Sequence, residues 1–341
     1  MYDTIGARAF IHRRLSNAIK SDNSNSLAGT KPCTFNVVTK KVGTQYASFP
    51  LKVNFSKGEI EFEVSPTKFL KGHNICGSNR LHVLLEGVLE QIYHRFQTAF
   101  TSRDRLFYRR NGVELLRVDM TGGFLVKSQA EVVETMALIE KHLLDSLFDI
   151  VVHKSYKGTG TIYLGKNSSR STIKFYNKYL EVLARNKKLA LLPYYQALIS
   201  YAERLIRYEL TLRSSELKRL KLNNSNLFSI QIFHQMLLDH LTKLNFASGP
   251  LVTELTGEQV AGLKPEKRAK YQQWRDGIDL HRYFSPATIS RLRTYLLQFD
   301  LDIAHTYAQT QDAVTLAQRL SLAKLRTTYP KGFVDLGAVY C

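Results

Sequence analysis

The chain has 341 residues, 44% of them hydrophobic and 11% aromatic, which excludes a disordered protein and allows two folded units. Lys and Arg outnumber Asp and Glu by 48 to 29, for a formal charge of +19 spread along the sequence. That excess favours a polyanionic partner, nucleic acid ahead of an anionic membrane surface.

In chain order, residues 1–32 read as a leading element and a polar loop, with Ser21 to Ser26 almost wholly polar. Thr34–Lys41, Pro50–Phe55 and Glu59–Val64 alternate as short β-strands, punctuated by Gly43 and Lys57-Gly58. Ser65-Pro66 ends that sheet stretch, and Lys68 to Gly77 is expected to be a loop. Leu81, Leu84, Leu85, Val88, Leu89 and Ile92 recur at helical spacing in a helix expected over Leu81 to Phe100. Leu115–Thr121 is the next strand, stopped by Gly122-Gly123. Ser128 and Glu131 then open a helix that runs to Leu147. Asp149–Lys154, Gly160–Gly165 and Thr172–Tyr176 read as strands, Lys178–Lys188 as a helix with another after Pro193, and Arg204–Arg213 as a strand. Helices follow, including Phe228–Leu244, and Ala247-Ser248-Gly249-Pro250 reads as a linker. The C-terminal part offers helices over Pro265–Arg275 and, opened by Ser285-Pro286, over Thr288–Phe299. Arg291 and Arg293 on the latter suit a helix-turn-helix DNA reader, while an ordinary helical hairpin fits the pattern equally well.

Cys33, Cys76 and Cys341 are odd in number and show no CxxC spacing, against a disulfide framework or zinc site and for a reducing cytoplasm. No apolar run approaches the ~20 residues of a membrane span, and the first residues lack the regions of a signal peptide, so no membrane partner is expected.

Chemistry concentrates on three strands. Lys174, Tyr176 and Lys178 alternate onto one face, a phenol between two ammonium groups that would favour phenolate and neutralise phosphate. Tyr163 and Tyr179 are rival nucleophiles, and a merely packed tyrosine is the commoner meaning of any one of them. Arg117/Asp119 and Arg207/Glu209 each place a cation and a carboxylate two residues apart on one strand face. They are either plain ion pairs or a divalent-metal site, with Asp119 and Glu209 on Mg²⁺ or Mn²⁺ and Arg117 and Arg207 on DNA phosphates. Loop residue His73 lies beyond Lys68 and Lys71, so metal ligation and contact with a scissile phosphate are both open. No GxGxxG or GxxxxGK[ST] occurs, so no nucleotide cofactor is expected.

The segment Ser65-Pro66-Thr67-Lys68-Phe69-Leu70-Lys71-Gly72-His73-Asn74 resembles the Ser-Pro-x-Lys-x-Leu-x-Gly-His-Asn signature of the filamentous bacteriophage replication initiators, the gene II and gene X protein family of rolling-circle replication proteins. Arg-x-Asp at 117–119, the tyrosine strand with Lys178 and Glu181, and Arg-x-Glu at 207–209 follow in matching order. The resemblance spans roughly residues 35–220; the last third is similar only in being basic and helical.

That resemblance implies a metal-dependent, site-specific nicking and strand-rejoining enzyme. Its tyrosine, at Tyr176, would form a 5′-phosphotyrosine at the viral-strand origin and free a 3′-OH. The partners implied are double-stranded origin DNA, the displaced single strand, and host helicase and polymerase, in the cytoplasm of a bacterial host, with an oligomer on DNA left open. The related histidine-hydrophobe-histidine (HUH) endonucleases carry a His-x-His pair that this chain lacks. The expected metal cage is therefore Asp119, Glu209 and His73, with Glu61 and Glu63 as alternates. Lys68, Lys71, Asn74, Arg117, Arg170, Arg207, Arg291 and Arg293 are the expected DNA contacts. Together these readings give an HUH-endonuclease-like α+β fold on a mainly antiparallel sheet, with an N-terminal extension over 1–33, a nicking domain over 34–246 and a helical DNA-binding region over 247–341. A non-enzymatic replication regulator and a relaxase or transposase are the alternatives.

Overall fold

The computed structural model describes residues 1–26, 37–146, 150–153, 160–185, 189–246, 254–303, 306–327 and 329–335. Strand β1 (Tyr2–Phe10) and helix α1 (Arg13–Ser26) come first, then the strands β2 (Val37–Gly43), β3 (Ser48–Asn54) and β4 (Glu59–Val64). Helices α2 (Pro66–Lys71), α3 (Leu81–Arg95) and α4 (Ser102–Asn111) lead to the long strand β5 (Glu114–Leu125) and helix α5 (Gln129–Ser146). Strands β6 (Ile150–His153), β7 (Thr161–Leu164) and β8 (Ser171–Asn177) run into α6 (Lys178–Arg185). Helix α7 (Tyr195–Ala202) precedes β9 (Leu205–Arg213), α8 (Ser214–Arg219) and α9 (Ile230–Thr242).

These strands form one sheet in the order β2-β3-β4-β1-β5-β9-β8-β7-β6, with every neighbouring pair antiparallel. The fold is α+β with a mainly antiparallel sheet and a helical C-terminal region, as the sequence predicts.

Alternation sorts the strands into two faces. Ile5, Ala7, Val118, Met120, Phe175, Tyr208 and Leu210 are buried on one of them. Helix α9 closes that face at its centre: the Tyr2 ring meets Phe233 edge-on at 4.9 Å, and the Tyr208 hydroxyl donates to the Leu237 carbonyl at 3.5 Å. Each such fully buried side chain contributes about 1.5–3 kcal/mol. The other face carries the charged residues described below.

The chain divides into two compact units, Met1–Val132 with Asp149–His240 and Arg326–Cys341, and Val133–Phe148 with Leu241–Leu325. The second unit holds α10 (Gly257–Gly262), α11 (Pro265–Arg275), α12 (Pro286–Leu296) and α13 (Tyr307–Arg319) around Tyr271, Trp274, Leu292 and Leu296. Helix α14 (Lys331–Asp335) lies in the part of the chain that returns to the first unit.

Several sequence expectations change. Within the extension expected over 1–33, Tyr2–Phe10 is instead a strand of the sheet: β1 lies between β4 and β5, with Ile5 opposite Val64 and Val118, while residues 27–33 lie outside the described residues. The boundary at 246 is also displaced, because the second unit takes residues on both sides of it and returns the chain at Arg326. There the Gly123 and Arg326 backbones exchange hydrogen bonds of 2.9 and 2.8 Å. The loop expected over Lys68 to Gly77 is helical as far as Lys71, in a turn whose first residue Pro66 presets and which Gly72, at φ 87°, closes. The helix expected to reach Phe100 ends at Arg95, and a Thr101/Asp104 capping box starts α4. The segment 276–285 between α11 and α12 contains a short 3₁₀ turn at Leu280–Arg282 and is not the tight turn of a helix-turn-helix pair. The linker Ala247 to Pro250 lies outside the described residues.

Gly122-Gly123 does not stop β5, which continues to Leu125. A Cβ on Gly123 would stand 2.6 Å from Leu205 Cδ1 and 3.0 Å from the Ile206 carbonyl oxygen, so the glycine allows β5 and β9 to close. Gly123→Ala should lower unfolding free energy by about 1–3 kcal/mol, read from denaturant midpoints.

Candidate active site

The site is built by strand register. In the β8–β9 pair Lys174 faces Glu209 and Tyr176 faces Arg207, and in the β5–β9 pair Thr121 faces Glu209 and Asp119 faces Thr211. The polar side chains of β5, β9 and β8 therefore share one sheet face, where α6 begins directly after Asn177.

Glu209 is the centre of this arrangement. One carboxylate oxygen pairs with the Lys174 ammonium, and the other accepts from the Tyr176 hydroxyl at 3.3 Å. Glu209 is 4% exposed and Tyr176 8%. Burial pushes the Glu209 carboxyl up to about 7, against the pull of Lys174, with the charges of Asp3 and Asp119 adding to the upward push. Burial also raises the Tyr176 phenol well above its ordinary value, followed by the Glu209 charge.

The two lysines thus do not act as the sequence suggests. Lys174 is turned to Glu209. Lys178, wholly buried, donates to Glu181 Oε2 at 2.7 Å and Asn74 Oδ1 at 2.9 Å, with Nζ 5.9 Å from the centre of the Tyr176 ring. Burial lowers the pKa of that ammonium, with Glu181 pulling it back up. The phenol is held protonated on a carboxylate, and the flanking cations do not ionise it.

Arg117 and Asp119 form a two-bond pair, Nε to Oδ1 at 2.9 Å and Nη2 to Oδ2 at 2.7 Å, and Arg117 Nη1 reaches Glu63 at 2.9 Å. Arg207 is buried and clamps the 74–75 loop. It donates to the carbonyls of Asn74, at 3.3 Å, and Ile75, and to Thr121 Oγ1 at 3.2 Å. His73 lies in the core, its ring edge-on to Tyr194 at 5.7 Å and its Nδ1 accepting from the Ile75 amide at 3.3 Å.

Among the described residues no group of three or more His, Cys, Asp and Glu side chains is set to hold a metal, so Asp119, Glu209 and His73 do not form the expected cage. The physical reason is local pairing. Asp119 is engaged by Arg117, Glu209 by Lys174 and Tyr176, and His73 by its own loop. The alternates are paired as well, Glu61 to Arg8 at 2.8 Å and Glu63 to Arg117. Carboxylate oxygens suit a hard divalent ion in kind, but as arranged these residues do not fit one.

Of the other expected contacts, Lys68 and Lys71 are half-buried on or beside the turn of α2, and Arg170 is exposed before β8. In the second unit Arg291 and Arg293 are exposed on α12, the latter paired to Asp302 at 2.7 and 2.8 Å. Tyr163 sits opposite Lys174 on β7, and Tyr179 packs into the cluster of Val182, Leu189 and Tyr194. Asp3, which no sequence motif singles out, accepts from Asn74 Nδ2 at 3.0 Å and Ser65 Oγ at 3.4 Å.

With this geometry in place, comparison with known proteins defines a class. Residues 1–234 match the family of phage replication-associated proteins, by its N-terminal part, and the chain belongs to that family. It is 30% identical over 250 residues to the replication-associated protein of Enterobacteria phage I2-2, covering 71% of this chain and 69% of that one. A solved structure described as a rolling circle replication initiator protein from Geobacillus stearothermophilus aligns over 70% of this chain and 83% of its own, at a TM-score of 0.32 and 12% identity.

Arg207→Ala would orphan two loop carbonyls beside the site. It should cost about 3 kcal/mol in urea unfolding, and Arg207→Lys less.

Proposed function

We propose that the protein is a rolling-circle replication initiator that nicks the viral strand of double-stranded phage DNA at its origin and later rejoins the displaced strand. The observation that carries this reading is the Tyr176 hydroxyl on Glu209, in a chain of a phage replication-associated family. Tyr176 Oη attacks the scissile phosphorus and passes its proton to Glu209. The new bond is Oη–P and the broken bond P–O3′; the departing O3′ takes up a proton from solvent, to which Glu209 later returns its own, leaving a 5′-phosphotyrosine and a 3′-OH. The reverse attack by a 3′-OH releases the tyrosine and reseals the strand, with the ester energy retained, so no nucleotide is consumed.

With both carboxylates paired and the tyrosine nearly enclosed, the site as it stands is closed. A DNA phosphate competes for Lys174 and Arg117, and their transfer from carboxylate to phosphate accompanies opening. Dependence on Mg²⁺ or Mn²⁺ belongs to the proposal. The Asp119 carboxylate, if released by Arg117, would be the oxygen donor to such an ion, which would withdraw charge from phosphoryl oxygens. The exposed cations Arg170, Arg291 and Arg293 suit the DNA backbone, which predicts strongly salt-dependent affinity. Host helicase and polymerase are the expected partners at the freed 3′-OH.

Supercoiled DNA carrying the phage origin should be nicked by the wild type and not by Tyr176→Phe, with protein on the 5′ end and loss of nicking in EDTA. Nicking that survives Tyr176→Phe would move the nucleophile to Tyr163 or Tyr179. DNA binding with no nick under either metal would favour a non-enzymatic regulator.

The pH dependence follows from Glu209, whose carboxyl is raised to about 7. Below that pH it is protonated and cannot take the phenol's proton, so the nicking rate should rise with pH through neutrality. Glu209→Gln should flatten that rise and lower the rate by about 10²–10⁴-fold, measured in single-turnover nicking.

A further inference from the structure

We infer that Asn74 is a positioning residue for the tyrosine chemistry, its carboxamide tying Lys178 on α6 to Asp3 on β1 and so fixing the ammonium beside the Tyr176 ring. The inference rests on Tyr176 being the nucleophile. An ammonium only donates hydrogen bonds and an ionised carboxylate only accepts them, whereas a carboxamide does one at each end. Asn74 has both ends engaged in the polarity this demands. Oδ1 accepts from Lys178 Nζ at 2.9 Å, and Nδ2 donates to Asp3 Oδ1 at 3.0 Å.

The backbone of the same residue is also held, since Arg207 donates to its carbonyl at 3.3 Å. One residue therefore joins β1, β9 and α6, and two of these flank or extend the strand that bears Tyr176. Lys178 has a long flexible stem and no exposed surface, and its ammonium donates to Asn74 and Glu181. With the carboxamide gone, the ammonium keeps Glu181 and swings about it, while Asp3 loses a donor. Asn74 thus acts within the protein, in contrast to the DNA contact expected from its motif.

The polarity of the bridge supplies its own test, because exchanging the two residues preserves it. In Asn74→Asp a carboxylate faces Asp3 and the bridge breaks. In the double variant Asp3→Asn/Asn74→Asp, the new carboxylate accepts from Lys178 and from the new carboxamide, so the bridge re-forms. The full chain would be assayed for single-turnover nicking of a supercoiled plasmid carrying the origin region of the encoding genome, for affinity to the same DNA, and for thermal unfolding.

We expect Asn74→Asp to slow nicking by about 10²-fold with the DNA dissociation constant unchanged, and the double variant to regain most of the rate. Equal rates in Asn74→Asp and wild type would overturn the inference. So would loss of affinity in step with loss of rate, or a folded double variant that stays slow. If Asn74→Asp fails to fold, the double variant alone decides. Tyr176→Phe assayed in parallel separates the two claims. Nicking by that variant removes the nucleophile assignment, whereas the thermal rescue of the double variant still reports on the bridge.

Discussion

Placing ionised groups on a covered sheet face requires each to find a partner, because an unpaired buried charge costs several kcal/mol. Glu209 meets that constraint by dividing its oxygens between the Lys174 ammonium and the Tyr176 phenol. The division depends on antiparallel register: with Lys174 opposite Glu209 and Tyr176 opposite Arg207, one carboxylate reaches both side chains of β8. A slip of one residue would turn all of these side chains to the apolar face. The register is fixed in turn by the buried residues between them, Phe175 and Tyr208, whose rings lie 5.1 Å apart.

The same constraint explains why the cations are turned inward. Arg117 closes on Asp119, Lys178 on Glu181 and Asn74, and Arg207 on the carbonyls that shape the 74–75 loop. The resting site is a nearly neutral set of hydrogen bonds with the protonated Tyr176 phenol at its centre. In the proposed reaction partners are exchanged, the carboxylates giving up cations to the DNA while Glu209 takes the phenol's proton. On that proposal the polyanion does not meet a ready-made cationic pocket; it competes for one.

Much of this was legible in the sequence where periodicity carries the information. The i, i+2 spacing of Arg117 and Asp119 predicts a shared strand face, and the structure pairs them. The apolar spacing from Leu81 to Ile92 predicts the buried stripe of α3. The order of the motif strands is right, and so is the α+β class. What was not legible depends on distant partners. Tyr2 to Phe10 looks like a leading segment because its pairing strands, β4 and β5, lie far along the chain, and Asp3 was overlooked with it. Gly122-Gly123 signals a break locally, yet tertiary pairing with Tyr208 and Arg207 on β9 overrides it. The role of Glu209 could not be separated from metal ligation by spacing alone, since only the register shows that its second oxygen meets Tyr176. The second unit escaped the linear boundary because it is assembled from two separated segments.

Everything proposed for the site turns on Tyr176 carrying the covalent link to DNA, and the most direct measurement is mass spectrometry of the trapped protein–DNA adduct after nuclease trimming and trypsin. Cleavage after Lys174 and Lys178 isolates residues 175–178, which contain Tyr176 and no other tyrosine, while Tyr163 and Tyr179 fall in separate peptides. A phosphonucleotide on the 175–178 peptide is the predicted result. The same mass shift on the peptide of Tyr163 or Tyr179, with 175–178 unmodified, would contradict it.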